Sequence, residues 1–384
     1  MIFLKESIRY FLHIIINWLS AFVEPKSIIQ NSILIVRPDA IGDYILFRNF
    51  IKILKENDKF KNYKIILCGN IAWKDIAEAF DKEYIDDFIW IDRKKFERNL
   101  IYRYRKLREI INKGYEVVIN PVYSREFYYG DNIINLVNAK EKIGSIGDLS
   151  NIKKWQKSIS DRYYTKLIPA KEEILFEFYR NREFFENLFG HTLDIHRPTI
   201  VPKPCELQLP QNYAVLFIGA SAECRKWPIE YFVQAGKHLM ERHNLEIVIC
   251  GSPSDSNPEE IKIKFGEKVR NLVGKTTLVE LCWVIKNAVI ILSNETSAPH
   301  LASAVDVPVV VVFNGNHFGR FTPYPEEMTN KYTAVYHPEI EKDLGSYQRL
   351  SNSYGYGSNL NIKEISPERV ICAIDKQISK RALN

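Results

Sequence analysis

The sequence predicts an α/β protein of two domains, each a parallel sheet covered by helices on both faces, with an apolar helix ahead of the first. Three observations carry that prediction. Short apolar runs alternate with stretches of helical periodicity along most of the 384 residues. Several of those runs end in tight turns that lead straight into a helix, which is how a parallel strand–helix–strand unit begins. Four of the seventeen prolines, at 198, 202, 204 and 210, crowd into residues 198–210, where they enforce an extended linker. The length agrees, because domains cluster near ~100–150 residues.

Residues 1–26 form the apolar helix. Positions 10–23 (YFLHIIINWLSAFV) hold fourteen residues without Asp, Glu, Lys or Arg. Crossing a bilayer takes ~20, so this segment is too short to span one. Lys5 and Arg9 precede it, Lys26 follows, and Trp18 sits near one end. No small-x-small cleavage site marks it as a signal peptide. Two readings stand: an interfacial helix lying on an anionic inner leaflet, or a helix packed on the protein's own body or in an oligomer contact.

The first domain covers 27–197. Residues 32–37 (SILIVR) read as a strand, 38–43 (PDAIGD) as a turn and 44–56 as a helix. Strands follow at 63–68, 88–91 and 115–120, with helices at 71–80 and 96–113. The apolar runs are continuous rather than alternating, as in a sheet buried on both faces. After the linker, 211–345 restarts the pattern with strands at 214–218, 246–250, 288–292 and 307–313. Its helices are 230–242, 278–286 and 299–305. Residues 346–384 complete the chain: 345–361 (GSYQRLSNSYGYGSNLN) reads as a long loop, and 367–381 as a helix with Val370, Ile371, Ile374 and Ile378 on one stripe.

Composition excludes several function classes. Hydrophobic residues are 46% and charged residues 26%, the balance of a soluble globular protein. The six cysteines (68, 205, 224, 250, 282, 372) show no Cys-x-x-Cys pair, which argues against a zinc framework and for reduced thiols in the cytoplasm. Lys plus Arg exceed Asp plus Glu by 53 to 47. Spread over this length, a net charge of +6 suits anionic ligands or a membrane surface, not nucleic acid. No Gly-x-Ser-x-Gly elbow exists, and Gly274-Lys275-Thr276 lacks the upstream glycine of a Walker A loop.

Three loops carry candidate chemistry. SNETSAPH (293–300) lies between a buried strand and a helix, where unpaired N–H groups and the helix dipole suit a phosphate or pyrophosphate. Ser297 and Ala298 would admit an anion close to the backbone, His300 could donate to it, and Glu295 would stand at the mouth. The alternative is Thr296 or Ser297 as a plain N-cap. The loop 219–228 (GASAECRKWP) offers Gly219 and Ser221 as close contacts, and Arg225 and Lys226 as cations for a diphosphate or as solvated charges. In the turn 38–43, Asp43 is either a base for a hydroxyl proton or the N-cap of the next helix.

Together these stretches resemble glycosyltransferase family 9, the heptosyltransferase-like family of the two-domain GT-B fold. ILIVRPDAIGD (33–43) is similar to the family's strand, R-x-D-x-x-G-D and helix. GAS (219–221) with RKWP (225–228), LVGKTTLVE (272–280) and NETSAPHLASAVDVP (294–308) follow in the family's order and spacing. The resemblance implies two facing Rossmann-like domains with the ligands in the cleft between them. It makes Asp43 the general base. It assigns Gly219, Ser221, Arg225, Lys226, Ser252, Asp255, Gly274, Thr276, Glu295, Thr296, Ser297, Ala298 and His300 to the donor. Asp255 would contact the nucleotide ribose, and Gly274 and Thr276 would line its pocket. Arg37, Ser124 and Arg125 fall to the acceptor. Three positions depart from the family: Glu295 stands for its Asp, Ser297 for its Gly, and Arg225 where its Lys usually is.

The resemblance further implies an inverting transfer of a sugar, heptose from ADP-heptose, onto a lipopolysaccharide-like or other cell-surface glycan. Neither a metal ion nor another cofactor is expected, and the sequence contains no Asp-x-Asp motif. The expected partners are the nucleotide sugar and a glycan or lipid-linked glycan acceptor. The expected location is the cytoplasm, peripheral on the inner face of the inner membrane through residues 1–26. The basic run 93–113 could meet phosphorylated core sugar or anionic headgroups, or be a solvated helix face. Alternatives are a different nucleotide-sugar donor, a protein or capsule acceptor, or a catalytically silent nucleotide-sugar-binding partner.

Overall fold

The computed structural model describes residues 2–21, 27–255, 258–266 and 269–382. It divides into two compact units: Met1–Lys171 with Arg180–Asp194, and Glu172–Tyr179 with Ile195–Asn384. Each unit is built on one six-stranded parallel sheet. The first contains β1 (Ile28–Arg37), β2 (Lys64–Asn70), β3 (Asp87–Ile91), β4 (Gly114–Asn120), β5 (Ala139–Ser145) and β6 (Lys166–Ile168). The second contains β7 (Tyr213–Phe217), β8 (Glu246–Cys250), β9 (Arg270–Asn271), β10 (Ile290–Asn294), β11 (Val309–Phe313) and β12 (Tyr332–Tyr336).

Strand order is 3-2-1-4-5-6 in the first sheet and 12-11-10-7-8-9 in the second. Counted from its own first strand, the second sheet has the same order as the first. This is the doubly wound arrangement, in which ligands bind beyond the carboxyl ends of the strands where the order reverses. Here that point lies between β1 and β4, and between β7 and β10. Burial explains why the strands form. Val309–Phe313 (VVVVF) and Tyr213–Phe217 (YAVLF) are buried along their whole length, which β-branched and aromatic side chains suit. The C-terminal helix Pro367–Ala382 adds Val370 and Ile374 to the second core, beside Phe232, Ala235 and Leu239.

Several expected elements differ. The helix expected at 44–56 is two, Ile41–Phe47 and Asn49–Glu56. At the break, Arg48 turns inward to pair with buried Asp81, its Nη2 2.6 Å from Oδ1. The basic helix 96–113 is also two, Arg93–Arg98 and Leu100–Ile111, because Asn99 caps the second by accepting the Tyr102 N–H at 2.9 Å. Strands β5, β6, β9 and β12 have no counterpart in the sequence reading. In β5, charged Lys140, Glu141 and Lys142 hide the pattern, and only its last three residues are buried. The stretch 345–361 is not one loop: it contains the helix Tyr347–Tyr354, which buries Leu350 and Ser351.

At the start of the chain the helix runs Ile2–Ala21, while Met1 and residues 22–26 of the expected segment lie outside the described residues. One face rests on its own unit: His13, Ile16 and Ser20 are buried, and Tyr10 meets Trp155 edge-on at 5.2 Å. The other face exposes Phe11, Ile14, Trp18 and Leu19. Among the described residues, no helix is long and apolar enough to cross a membrane.

Candidate active site

In the first unit, β1 ends at Arg37, and the turn to the Ile41–Phe47 helix is bolted down from several sides. The Asp39 carbonyl accepts from Asn70 Nδ2 at 2.8 Å and from the Trp73 indole at 3.1 Å. The Pro38 carbonyl accepts from Arg93 Nη1 at 2.7 Å. Arg93 also forms a two-pronged pair with Glu126, at 2.8 and 2.7 Å, which ties the turn after β1 to the loop after β4. Asp43 is not the N-cap. It is the third residue of the helix, half-buried, and its carboxylate accepts the Ala40 N–H at 3.2 Å. That bond fixes the side chain on the carboxyl-end side of the sheet, at the reversal point.

Arg37 and Arg125, expected to touch the acceptor, are fully buried. Arg37 donates to Asn181 Oδ1 at 2.8 Å, lies 2.7 Å from Asp39 Oδ2, and stacks over Phe47 at 4.3 Å. Arg125 pairs with Asp161 and lies 3.7 Å from Asp131 and 4.9 Å over the Tyr164 ring. Both guanidiniums are therefore committed inside their unit and hold loops in place. Ser124, also buried, donates to Asp148 at 3.1 Å. Several cations of the basic run are paired with acids or buried. Lys113 pairs with Asp87, Lys106 with Glu109 and Lys95 with Asp92, and Arg103 is buried.

The second unit assembles the loops 219–228 and 293–300 around one residue that the sequence reading quoted only as part of a motif. Asn294, fully buried at the end of β10, donates to the carbonyls of Ile218 at 2.9 Å and Gly219 at 3.2 Å. Its Oδ1 accepts the Trp227 N–H at 3.0 Å. One side chain thus joins both ends of the 219–228 loop to the start of the 295–300 loop. A buried amide with donors and acceptor all satisfied is a rigid joint.

Arg225 and Lys226 separate clearly. Arg225 Nη1 lies 2.8 Å from Glu295 Oε2, and Nη2 donates to Ser221 Oγ. Asn316 Nδ2 adds a longer contact to Glu295 at 3.4 Å. Lys226 instead pairs with exposed Glu223 at 2.9 Å. The structure therefore brings Ser221, Arg225 and Glu295 together and leaves Lys226 outside that group.

Thr296 is the N-cap of the Ser297–Ala304 helix, its hydroxyl accepting the Ala298 N–H at 3.2 Å. Ala298 and His300 are buried in that helix. Burial pushes the His300 imidazole down to about 4, so it is neutral at pH 7. Its Nδ1 lies 2.9 Å from the Tyr324 hydroxyl, and burial raises the pKa of that phenol, which keeps its proton. In the tautomer in which Tyr324 donates to Nδ1, the imidazole proton sits on Nε2, which is then the nitrogen left to donate to a ligand.

Beyond β8, Asp255 folds back so that its Oδ2 accepts the Ser252 N–H at 2.6 Å. A side chain at Gly219 would run into that carboxylate, which is why glycine stands there. Gly274 has φ +67°, packs against Pro253, and donates its N–H to Gly251 at 3.0 Å. Half-buried Thr276 precedes Thr277, the N-cap of the Leu278–Lys286 helix. Ser252, Asp255, Gly274 and Gly219 thus form one cluster over the carboxyl ends of β7 and β8. The loop after β11 was absent from the sequence reading. Its Asn314 donates to the carbonyls of Cys224 at 3.0 Å and Leu360 at 3.1 Å, bracing the Arg225 loop from behind.

Comparison with known proteins supplies a family and a fold. The family model described as glycosyltransferase family 9 (heptosyltransferase) matches residues 187–346. Lipooligosaccharide heptosyltransferase 2 of Campylobacter jejuni is 21% identical over 348 residues, covering 88% of this chain and 96% of that protein. Lipopolysaccharide heptosyltransferase 3 of Escherichia coli K12 is 24% identical over 361 residues, covering 90% and 91%. A family 9 glycosyltransferase structure from Veillonella parvula superposes with a TM-score of 0.68 at 18% identity, covering 93% of this chain and 99% of that one. The E. coli heptosyltransferase WaaC, solved with ADP-2-deoxy-2-fluoro heptose, gives 0.65 at 16% identity, covering 90% and 99%. The last two likenesses establish a shared fold.

Proposed function

We propose that this chain, which belongs to glycosyltransferase family 9 and is a glycosyltransferase, moves a heptose from ADP-heptose onto a lipopolysaccharide-like or other cell-surface glycan. The observation that carries the reading is the pair of loops at the reversal point of the second sheet. They are joined by Asn294 and by the Arg225–Glu295 pair, and they end in a helix start. A leaving diphosphate gains negative charge as the bond to the sugar breaks. The Ser297 N–H and the dipole of that helix start, the Arg225 guanidinium and an Nε2–H of His300 are suited to stabilise that charge. The nucleotide would lie over Ser252, Asp255, Gly274 and Thr276, with Asp255 available to a ribose hydroxyl.

On the first unit, Asp43 accepts the proton of the acceptor hydroxyl as that oxygen attacks the anomeric carbon. The C–O bond to the diphosphate breaks in the same displacement, so configuration inverts. Cations and the helix dipole would take the role that a metal ion plays elsewhere, so the transfer runs without one. Arg37 and Arg125 act as positioning residues, holding the loops after β1 and β4 from inside.

The reading is tested by thermal shift and turnover across a panel of nucleotide sugars. ADP-heptose should raise the unfolding midpoint, by ~2.7 kcal/mol of stabilisation at a hundredfold excess over Kd, because ligand binding to the native state stabilises by mass action. Transfer to a heptose-acceptor glycan should follow. Stabilisation by a different nucleotide sugar with transfer from it would replace the donor. Binding without turnover on any acceptor would leave a silent nucleotide-sugar-binding protein.

The N-terminal helix supplies the proposed attachment to an anionic inner leaflet. Its exposed face carries Phe11 at 62% and Trp18 at 61%, large apolar side chains of the kind that enter the headgroup boundary. Replacing Phe11, Ile14 and Trp18 together by Ser leaves the packed face intact. The variant should stay folded and lose cosedimentation with vesicles containing anionic lipid. Undiminished sedimentation would remove this helix as the anchor.

A further inference from the structure

We propose that His238, His243 and Asp375 form a binding site for a divalent transition-metal ion of the zinc type, stapling the last helix of the chain to the second unit. Both imidazoles converge on one atom. His238 Nε2 and His243 Nε2 each lie 2.7 Å from Asp375 Oδ1. All three groups present a ligand atom within 4.8 Å of the others. The two histidines come from the Ile229–His243 helix, one of them its last residue, and the aspartate comes from the Pro367–Ala382 helix. The two helices are already packed through Phe232, Ala235, Leu239, Val370 and Ile374. The polar triad therefore sits on a prepositioned pair of rigid elements rather than on loops.

Two imidazole nitrogens and one carboxylate oxygen are a donor set that suits Zn²⁺ and its neighbours rather than Mg²⁺ or Ca²⁺, which favour all-oxygen shells. Zinc–nitrogen and zinc–oxygen bonds of ~2.0–2.2 Å in a tetrahedron place ligand atoms ~3.3–3.5 Å apart. The nitrogens and the oxygen need to spread by ~0.6–0.8 Å from their hydrogen-bonded spacing, a side-chain adjustment. The groups are partly exposed, at 25%, 18% and 42% of their side chains, so water can fill the fourth position and the ion has an entry path. On binding, each Nε2 gives up its hydrogen bond to Asp375 and offers its lone pair, with the ring proton on Nδ1. The site is separate from the donor loops, and the role is structural.

The test uses the full chain after chelator treatment, titrated with Zn²⁺ by calorimetry and with Co²⁺ by visible absorption. One ion should bind per chain, Co²⁺ should show the intense bands of a tetrahedral nitrogen–oxygen site, and Zn²⁺ should raise the unfolding midpoint. His238→Gln with His243→Gln keeps polar partners for Asp375 and should lower affinity by at least ~10-fold, abolishing the midpoint shift. Asp375→Asn should weaken binding while leaving the circular dichroism unchanged. The proposal is overturned if no saturable binding is seen up to a tenfold molar excess of Zn²⁺. It is equally overturned if the double variant binds as wild type, or if alkylating the accessible cysteines Cys205, Cys224 and Cys372 removes the binding.

Discussion

Asp43→Asn should reduce sugar transfer by ~10²-fold or more while changing nucleotide affinity by less than about twofold. Asparagine is the informative replacement because of what Asp43 does in the fold. Its carboxylate accepts the Ala40 N–H at 3.2 Å from the third position of the Ile41–Phe47 helix. An amide oxygen can accept the same bond, so the first turn should keep its geometry. The turn itself is held independently by Arg93, Asn70 and Trp73. What disappears is the ability to take a proton from an attacking hydroxyl. Asp43→Ala removes both functions and should additionally lower the unfolding midpoint, by the ~1 kcal/mol typical of a lost cap. Unchanged turnover in the asparagine variant would reduce Asp43 to the acceptor of the Ala40 N–H and send the search for the base elsewhere on the first unit.

What the sequence could and could not disclose follows from the range of the interactions involved. The strand, turn and helix around Asp43 were legible because they rest on neighbours: a continuous apolar run, Gly42, and helical spacing after it. The loops 219–228 and 293–300 were legible as a pattern of residue types in order. Their assembly was not. Asn294 makes its bonds to Ile218, Gly219 and Trp227, 67 to 76 positions away, and in the chain it is one polar residue at a strand end. The basic run misled for the same reason. Lys113 and Arg93 find their acids 26 and 33 residues away, so part of a stretch that reads as a charged face is paired with acids that its own sequence does not contain. Arg37 and Arg125 look like surface cations until burial is known. Strand β9 has two residues, and β5 carries three charged ones directly after Ala139, so neither carries an apolar signal. The His238–His243–Asp375 triad spans 137 positions and has no local spacing to betray it.

The larger effect should come from Arg225, because its guanidinium serves two purposes that can be separated. Arg225 and Glu295 are a mostly buried pair, with side chains 16% and 7% exposed. Removing the cation alone leaves the largely buried Glu295 carboxylate without its opposing charge. Breaking such a pair costs about 3–5 kcal/mol. Arg225→Ala should therefore lower the unfolding midpoint and also weaken ADP binding by ~10–100-fold, the loss of one hydrogen bond to a charged group. Lys226→Ala should do neither to a comparable extent, since Lys226 spends its charge on exposed Glu223 and such surface pairs contribute ~0–1 kcal/mol. The double variant Arg225→Ala with Glu295→Ala takes away the stranded carboxylate. It should recover most of the midpoint without recovering ADP affinity, which isolates the contact to the diphosphate from the contact that shapes the loop. If ADP affinity returns together with stability, Arg225 only braces Glu295, and the diphosphate relies on the helix start and His300. Glu295→Gln tests the same balance from the other side. It keeps an acceptor for Arg225 and removes the opposing charge, so ADP should bind several-fold more tightly as the guanidinium turns its full charge to the phosphates.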